Sequence, residues 1–201
     1  MASENTKLVI VESPSKIKTL KKFLGDNYII ESSVGHIRDL PKKDLGIDIE
    51  NGFSTSYEVS PDSKKVVKNL KSIIKKADEL YLATDPDREG EAISWHLVEC
   101  LKPSIPIKRM VFNEITKEAI IDSFNNTRQI DVNLVRAQES RRILDRLFGF
   151  LVSKKLWLNV AGGLSAGRVQ SPAVKILVDR EKERSQFVEN EYWSIEVIFK
   201  S

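Results

Sequence analysis

The sequence is poor in the residues from which disulfide frameworks and zinc sites are built. Its 201 residues include one cysteine, Cys100, and two histidines. One thiol cannot close a disulfide within the chain, and it cannot supply a Cys-rich zinc site either. The chain also lacks an apolar run long enough to span a bilayer, a secretory signal sequence, an internal repeat and a low-complexity tract. These absences predict a cytosolic protein of one or two domains without a membrane segment, in which Cys100 is a structural thiol.

Charge is unevenly distributed, although the formal net charge is only +3. Residues 125–185 contain 12 basic and 6 acidic side chains, whereas residues 1–124 contain 19 basic and 20 acidic ones. A basic segment beside a balanced one suits a polyanion such as nucleic acid. The alternative is an ordinary solvated helical surface, which composition alone does not exclude.

Four carboxylates alternate in one short stretch, at Asp85, Asp87, Glu89 and Glu91. The apolar run at 80–84 before them is typical of a buried strand, and apolar residues at helical spacing follow them. Crowded carboxylates repel one another unless they share a cation. Oxygen ligands without a cysteine or histidine cluster suit a hard ion, and Mg²⁺ fits best. The pattern therefore indicates a magnesium site on a strand-to-helix loop, with an acidic surface turn as the alternative.

A second strand-to-helix unit opens the chain. Residues 7–11 form an uninterrupted β-branched run that predicts a buried strand. Ser13 and Pro14 suit the N-cap and first position of a following helix, which Gly25 would close. Glu12 lies between the strand and this helix, where it either joins a site or merely complements the helix dipole.

These two units predict one shared edge of a sheet. In open α/β sheets, ligands bind at the carboxyl ends of the strands. We therefore expect Glu12 to lie close to Asp85, Asp87 and Glu89. A helix N-terminus at this edge favours a phosphate group, with which Lys16 is placed to pair.

The pattern as a whole predicts an α/β fold with a mainly parallel sheet flanked by helices, followed by a helical part. Residues 39–63 lack a clear period, apart from a possible short strand around Tyr57. The expected strands are 7–11, 28–33, 80–84, 108–112 and 192–199, and the expected helices are 14–24, 64–77, 91–101, 116–124, a long one from Asp131, and 171–184.

Five motifs, in order along nearly the whole chain, resemble those of the bacterial type IA DNA topoisomerases. Residues 9–16 are similar to the opening motif of that family, and residues 85–91 to its acidic Toprim motif. The other three are 34–41, 112–116 and 163–171. Toprim acids alone are shared with primases and some nucleases, but the set of five is far more specific. The resemblance implies a Toprim fold, which is Rossmann-like.

The resemblance also implies roles for individual side chains. The family relaxes negatively supercoiled DNA without ATP, because a tyrosine cuts one strand, forms a 5′-phosphotyrosine and allows resealing. Its implied cofactor is Mg²⁺, and its implied partners are single-stranded DNA, negatively supercoiled DNA and the remainder of the enzyme, near the nucleoid in the cytoplasm. By this resemblance the catalytic residues are Glu12, Lys16, His36 and Arg109, the metal ligands are Glu12, Asp85, Asp87 and Glu89, and the DNA-binding residues are Arg88, Arg141, Asp145, Ser165, Arg168 and Gln170.

Several of these residues have structural alternatives. Arg141 and Asp145 belong to a charged cluster that elsewhere would more often be a salt-bridge network. Ser165 and Gln170 lie in a Gly-rich stretch that is also typical of an interhelical loop. His96, on the helix after the acidic loop, is expected to have a packing role and is not assigned to the site.

The nucleophile expected from the family is missing here. Tyr28, Tyr57, Tyr81 and Tyr192 all lack the Tyr-x-Arg-Thr context of the family. The chain is therefore expected to be an N-terminal fragment that binds Mg²⁺ and DNA but does not cut DNA, and the zinc ribbons of many relatives are absent from it. Two other classes stay open, a Toprim nuclease or primase-like enzyme and a non-catalytic nucleic-acid-binding module.

Three segments are expected from these motifs. A Toprim domain covers residues 6–130, and a helical DNA-binding segment covers residues 131–185. Residues 186–201 would begin a β-rich arch, whose apolar edge strand has no partner in this chain.

Overall fold

The computed structural model describes residues 5–25 and 27–200. Its strands are short, and each of the four outside the main sheet has two residues. In chain order they are β1 (Lys7–Val11), β2 (Tyr28–Ser32), β3 (Arg38–Asp39), β4 (Ile47–Asp48), β5 (Ser54–Thr55), β6 (Glu58–Val59), β7 (Glu79–Leu82) and β8 (Ile107–Arg109).

Six α-helices alternate with or follow these strands, and a 3₁₀ turn at Pro61–Ser63 precedes the second. Ser13 caps the first helix as expected, and Thr116 caps the fourth, since each side-chain oxygen accepts a backbone N–H of the first turn. Asp131 accepts two N–H groups at the start of the fifth. The helices are α1 (Pro14–Leu24), α2 (Lys64–Ile74), α3 (Arg88–Leu101), α4 (Lys117–Asn125), α5 (Val132–Asn159) and α6 (Gln170–Gln186).

The main sheet is parallel throughout, in the order β2-β1-β7-β8. The chain moves from β1 to β2 on one side and later returns to place β7 on the other side of β1. The strands β1 and β7 therefore flank the topological switch point of the sheet. Two small antiparallel pairs, β3 with β6 and β4 with β5, occupy the stretch that the sequence left without a clear period.

Both faces of this sheet are covered by helices, as an all-parallel sheet requires. Alternate residues of β1 face opposite sides: Leu8 and Ile10 pack with α2 and α3, whereas Val9 and Val11 pack with α1 and α4. The predicted α/β fold with a flanked parallel sheet is confirmed.

The described residues divide into two compact units, one ending at Arg146 and the other beginning at Leu147, so that the division falls inside α5. The expected boundary at residue 131 lies before this helix. The first half of α5 belongs to the first unit because Val135 and Gln138 are buried and Arg146 donates to the Pro41 carbonyl at 2.8 Å.

The strand expected at 192–199 is not formed, and residues 187–200 contain no regular secondary structure. A strand needs a neighbour for its backbone N–H and C=O groups, and no described strand pairs with this segment. Its large apolar side chains, including Trp193 and Phe199, are consequently exposed.

Candidate active site at the carboxyl ends of two strands

The site begins where β1 and β7 end. Glu12 directly follows β1, and Asp85 follows β7 after two further residues. The backbone N–H of Ala83 donates to the Ile10 carbonyl at 2.8 Å, which extends the pairing of the two strands toward this edge. The N–H of Asp85 donates to Glu12 Oε2 at 3.0 Å. The two carboxylates that the sequence placed on separate loops therefore meet at the switch point.

A lysine joins these two carboxylates. Lys16 Nζ lies 2.5 Å from Glu12 Oε1 and also donates to Asp85 Oδ1. The side chains of Glu12 and Lys16 are mostly buried, 17% and 16% exposed, whereas that of Asp85 is 50% exposed. Lys16 lies in the first turn of α1, so the strand-to-helix unit places its ammonium beside the carboxylate of Glu12.

The two carboxyl groups have pKa values displaced in opposite directions. Burial, together with the neighbouring Asp85, raises the pKa of Glu12 despite the contacts of its carboxylate with Lys16. The hydrogen bond with Glu12 and the ammonium of Lys16 lower the pKa of Asp85. Two interacting carboxyls whose pKa values are pushed apart can hold a proton on one and a negative charge on the other.

Asp87 is the N-cap of α3. Its Oδ1 accepts the N–H of Gly90 at 2.8 Å, which orders the acidic loop at the start of the helix. Gly90 itself allows a close approach, since a Cβ atom there would lie 2.2 Å from the Asp85 carbonyl oxygen. A side chain at this position would push the Asp85 loop away from Glu12.

Arg109 holds the same loop from beneath. Its side chain is fully buried, and Nη2 donates to the Asp85 carbonyl at 2.7 Å. Its Nε donates to Glu91 Oε2, and that carboxylate also binds Arg128. The buried guanidinium of Arg109 thus positions the backbone of Asp85, and the catalytic role implied for Arg109 stays a prediction. Nη1 of Arg109 also donates to the backbone carbonyls of Leu82, Thr84 and Met110.

His36 reaches the site through a strained turn. Val34 has a φ of 55°, which is unfavourable for a β-branched residue, and Gly35 follows with a φ of 80°. The N–H of Gly35 donates to the Glu12 carbonyl at 2.8 Å, so the turn is fixed to the end of β1. His36 Nε2 then lies 3.3 Å from Glu89 Oε2.

Glu89 faces a cavity of about 280 Å³ beside the acidic loop. Its carboxylate lies 3.7 Å from Arg141 and 3.2 Å from Gln138 Nε2, in addition to His36. Two arginines on the wall are also paired with carboxylates, Arg142 with Asp39 and Arg141 with Asp145. The cavity is lined by His36, Arg38, Asp39, Tyr57, Glu89, His96, Gln138, Arg141, Arg142 and Asp145.

Six of these lining residues were missed or rejected by sequence reasoning, namely Arg38, Asp39, Tyr57, His96, Gln138 and Arg142. Tyr57, Trp95 and His96 form a cluster of rings with centroids 4.6–6.4 Å apart, although Trp95 is not among the lining residues. His96 is only 3% exposed, and its Nδ1 has no hydrogen-bond partner among the described residues. The sequence signal for the others was weak, because Arg38, Asp39, Arg142 and Tyr57 come together only through β3, β6 and α5.

The remaining predicted DNA-binding residues lie elsewhere. Arg88 is exposed in the first turn of α3. In the second unit, Gln170 Nε2 donates to Ser165 Oγ at 3.1 Å, so these two side chains of the Gly-rich loop are together. Arg168 lies between them in the chain. Their roles stay predictions.

The donors at the switch point fit a hard cation. Glu12, Asp85 and Asp87 offer only carboxylate oxygens, and Lys16 already places one positive charge between two of them. In the parts of the chain that the structure describes, no three Asp, Glu, His or Cys side chains converge as a complete ligand group. A Mg²⁺ ion here would therefore rely on one or two carboxylates, with waters and phosphate oxygens as its other ligands.

A parallel sheet with acidic side chains at its switch point, followed by a capped helix, defines a Toprim domain. The family model of the Toprim domain matches residues 7–115, and that of DNA topoisomerase matches residues 129–201. The chain therefore belongs to the Toprim family, and its second part matches a DNA topoisomerase, in agreement with the resemblance. Within the described residues, no helix is both long and apolar enough to cross a membrane.

Individual relatives agree with this assignment. DNA topoisomerase 1 of Streptomyces coelicolor is 54% identical over 207 residues, which cover 96% of this chain and 22% of that protein. The Mycobacterium tuberculosis enzyme is 52% identical, with 94% and 22% covered. The structure of full-length topoisomerase I from Thermotoga maritima superposes with a TM-score of 0.79 and 46% identity, over 90% of this chain and 31% of that one. The chain thus spans about a fifth of the curated relatives it matches.

Proposed function

We propose that this chain supplies the acid–base, metal-binding and part of the DNA-backbone-binding machinery of a type IA DNA topoisomerase. The enzyme would relax negatively supercoiled DNA by cutting and resealing one strand without ATP. The observation that carries this proposal is the meeting of Glu12 and Asp85 at the switch point, with Lys16 between them. Acting on chromosomal DNA would place the enzyme at the nucleoid, in the cytoplasm.

The proposed reaction is a transesterification in which Glu12 transfers the proton. A tyrosine hydroxyl from another part of the enzyme would lose its proton to solvent water and attack a phosphodiester, so that the tyrosine oxygen–phosphorus bond forms as the bond from phosphorus to the 3′-oxygen breaks. Glu12, whose pKa is raised by burial, would give a proton to that oxygen. In resealing, Glu12 takes the proton back from the 3′-hydroxyl as this oxygen attacks the phosphotyrosine.

Positive charge at the site would stabilise the phosphate. Negative charge develops on the non-bridging oxygens during the attack, and a fixed cation lowers the barrier most when it is already in place. Lys16 is such a cation, since it is held by two carboxylates at the N-terminal turn of α1. Arg109 contributes indirectly, because it fixes the backbone of Asp85.

A Mg²⁺ ion would be held by Asp85 and Asp87, with Glu12 at its edge. It would supply additional electrostatic stabilisation of phosphate oxygens. Glu89 belongs to the predicted ligand set too, but its carboxylate already contacts His36, Gln138 and Arg141. We therefore assign Glu89 a smaller share of the metal affinity than the two aspartates.

The expected effect on metal binding separates these carboxylates. We expect Asp85→Asn and Asp87→Asn each to weaken Mg²⁺ binding by about tenfold or more, because Mg²⁺ depends on anionic oxygen ligands. Glu89→Gln should change the affinity by less than threefold. Isothermal titration of the 201-residue chain with MgCl₂ measures this, with Glu50→Gln, at an exposed position, as the control. Equal losses for all three site variants would contradict the smaller role of Glu89.

DNA contacts are proposed on both units. Arg88, Arg141 and Asp145 would lie along the strand near the cleavage site. Ser165, Arg168 and Gln170 would hold backbone phosphates without reading sequence, as small polar loops commonly do. The division into a Toprim domain at 6–130, a helical segment at 131–185 and the start of an arch at 186–201 is proposed with them.

The function is tested by trapping the covalent intermediate. The complete protein to which this chain belongs should form a 5′-phosphotyrosyl adduct with a labelled single-stranded oligonucleotide and should relax negatively supercoiled plasmid. The 201-residue chain alone should do neither. Metal-dependent nicking without an adduct would instead identify a nuclease. Relaxation of plasmid by the 201-residue chain would contradict the proposal that the nucleophilic tyrosine lies outside it.

A further inference from the structure

Arg38 is held rigidly in the wall of the cavity. It lies on β3, which pairs with β6 so that Arg38 is opposite Val59. Its guanidinium carbon is 5.5 Å from the centre of the Tyr57 ring and 5.8 Å from that of Trp95. The two rings meet edge to face, with an interplanar angle of 73°. A guanidinium with aromatic faces on two sides loses little further freedom when it binds a ligand.

The other arginines of the cavity already have carboxylate partners. Arg142 makes a two-pronged ion pair with Asp39, at 2.9 and 2.6 Å. Arg141 lies 3.7 Å from Glu89 and 3.8 Å from Asp145. The Arg38 guanidinium, in contrast, has no hydrogen bond or ion pair with any other side chain or carbonyl that the structure describes.

The rings around Arg38 carry no charge that would neutralise it. Burial, followed by the charges of Arg38 and His36, lowers the pKa of His96 to about 3. Burial, followed by the carboxylate of Glu139, raises the pKa of Tyr57 to about 12. Both side chains are therefore neutral near pH 7. The positive charge of Arg38 is left for a group that enters the cavity.

We propose that Arg38 is a binding residue for a backbone phosphate of single-stranded DNA in this cavity. The inference rests on the proposed function, which brings a DNA strand to the adjacent site. Five N–H donors in a planar fork match two phosphate oxygens, and the uncommitted edge of the guanidinium is the part that makes such contacts. The ring faces of Tyr57 and Trp95 already hold the guanidinium, so they are not the stacking platform for a base.

The experiment measures how DNA binding depends on salt. Each phosphate that a protein neutralises on a single strand contributes about 0.7 to the slope of log K against log salt concentration. We expect Arg38→Gln in the 201-residue chain to lower the magnitude of that slope by about 0.7 for a dT oligonucleotide. The control, Lys117→Gln, removes the same charge from an exposed position at the start of α4 and should leave the slope within about 0.2 of the original.

Further variants and substrates define the contact. Arg38→Lys keeps the charge without the fork, so it should retain the slope while weakening binding several-fold. An oligonucleotide with abasic sites should show the same Arg38→Gln effect, since it keeps the phosphates and lacks the bases. Thermal unfolding and circular dichroism show whether a variant has kept its fold. If Arg38→Gln has not, the binding and salt dependence of Arg38→Lys are compared with those of the original chain instead.

Each outcome has a defined meaning. An unchanged slope for Arg38→Gln, with normal binding by the original chain, overturns the phosphate contact and leaves the proposed function standing. An effect that disappears on the abasic strand assigns Arg38 to a base and also overturns it. Failure of the original chain to bind single-stranded DNA at all counts against the proposed function and the inference together.

Discussion

Replacing Glu91 with alanine should lower the free energy of unfolding by about 3–5 kcal/mol, because it leaves a buried cation without its partner. Glu91 is 0% exposed and accepts hydrogen bonds from Arg109, from Arg128 and from the backbone N–H of Asp131. The Arg109 guanidinium is also fully buried. Urea unfolding of the 201-residue chain, followed by circular dichroism, measures the loss. A change below about 1 kcal/mol would show that Arg109 finds another counter-charge.

The control and the pH dependence make this prediction specific. Glu183→Gln removes an exposed carboxylate that pairs with Arg180 on α6, and it should leave the unfolding midpoint unchanged. Burial of Glu91 opposes ionisation, but its bonds to Arg128 and to the Asp131 N–H, and the charge of Arg109, hold its pKa below the ordinary 4.5. Its stabilisation is therefore fully present above pH 4.5 and is lost as the pH falls through the lowered pKa. Glu91→Gln should reduce that acid-side loss.

Replacing Glu12 with glutamine should slow plasmid relaxation by the complete enzyme by about 10²–10⁴-fold, the range expected when a general acid is removed. Glutamine keeps the shape of the side chain and can still accept the Asp85 N–H, but it cannot give or take a proton. The measurement is the initial rate of relaxation, combined with the yield of covalent adduct after rapid quenching. DNA affinity should change much less than the rate.

Two comparisons separate proton transfer from simple disturbance of the loop. Glu12→Asp retains the carboxyl group and should restore part of the activity, although a shorter side chain places it farther from Asp85. Glu50→Gln, at an exposed position after β4, should relax DNA at the original rate. Full activity of Glu12→Gln would exclude Glu12 as the acid and would leave Lys16 or a bound water to protonate the leaving oxygen.

The features with strong local signals were predicted correctly. The strand at 7–11 and the helix at 14–24 match β1 and α1, because a β-branched run followed by Ser13 and Pro14 satisfies strand and N-cap chemistry at once. The carboxyl ends of β1 and β7 were expected to bring Glu12 to Asp85, and they do. That inference needed only the rule for parallel sheets and the positions of two strands.

Other features had no local signal. The strand expected at 192–199 depends on a partner that the described chain does not provide, so the β-rich composition of the segment was not sufficient. The burial of Arg109 was not part of the sequence-based prediction, which assigned this residue a catalytic role only by resemblance. Its burial depends on Glu91 and Arg128, which are distant in the sequence and converge only after the sheet has formed.

The sequence by itself determined the parallel sheet, its acidic edge and the family, because strand pattern, capping residues and motif spacing are local properties of the chain. The tertiary structure decided which charges are paired and which remain available. It buries Arg109 in an ion pair with Glu91 and pairs Arg142 with Asp39. Arg38 instead lies between two aromatic rings beside the cavity. The physical reason is that desolvation and pairing depend on distances between segments far apart in the chain, which no local pattern records.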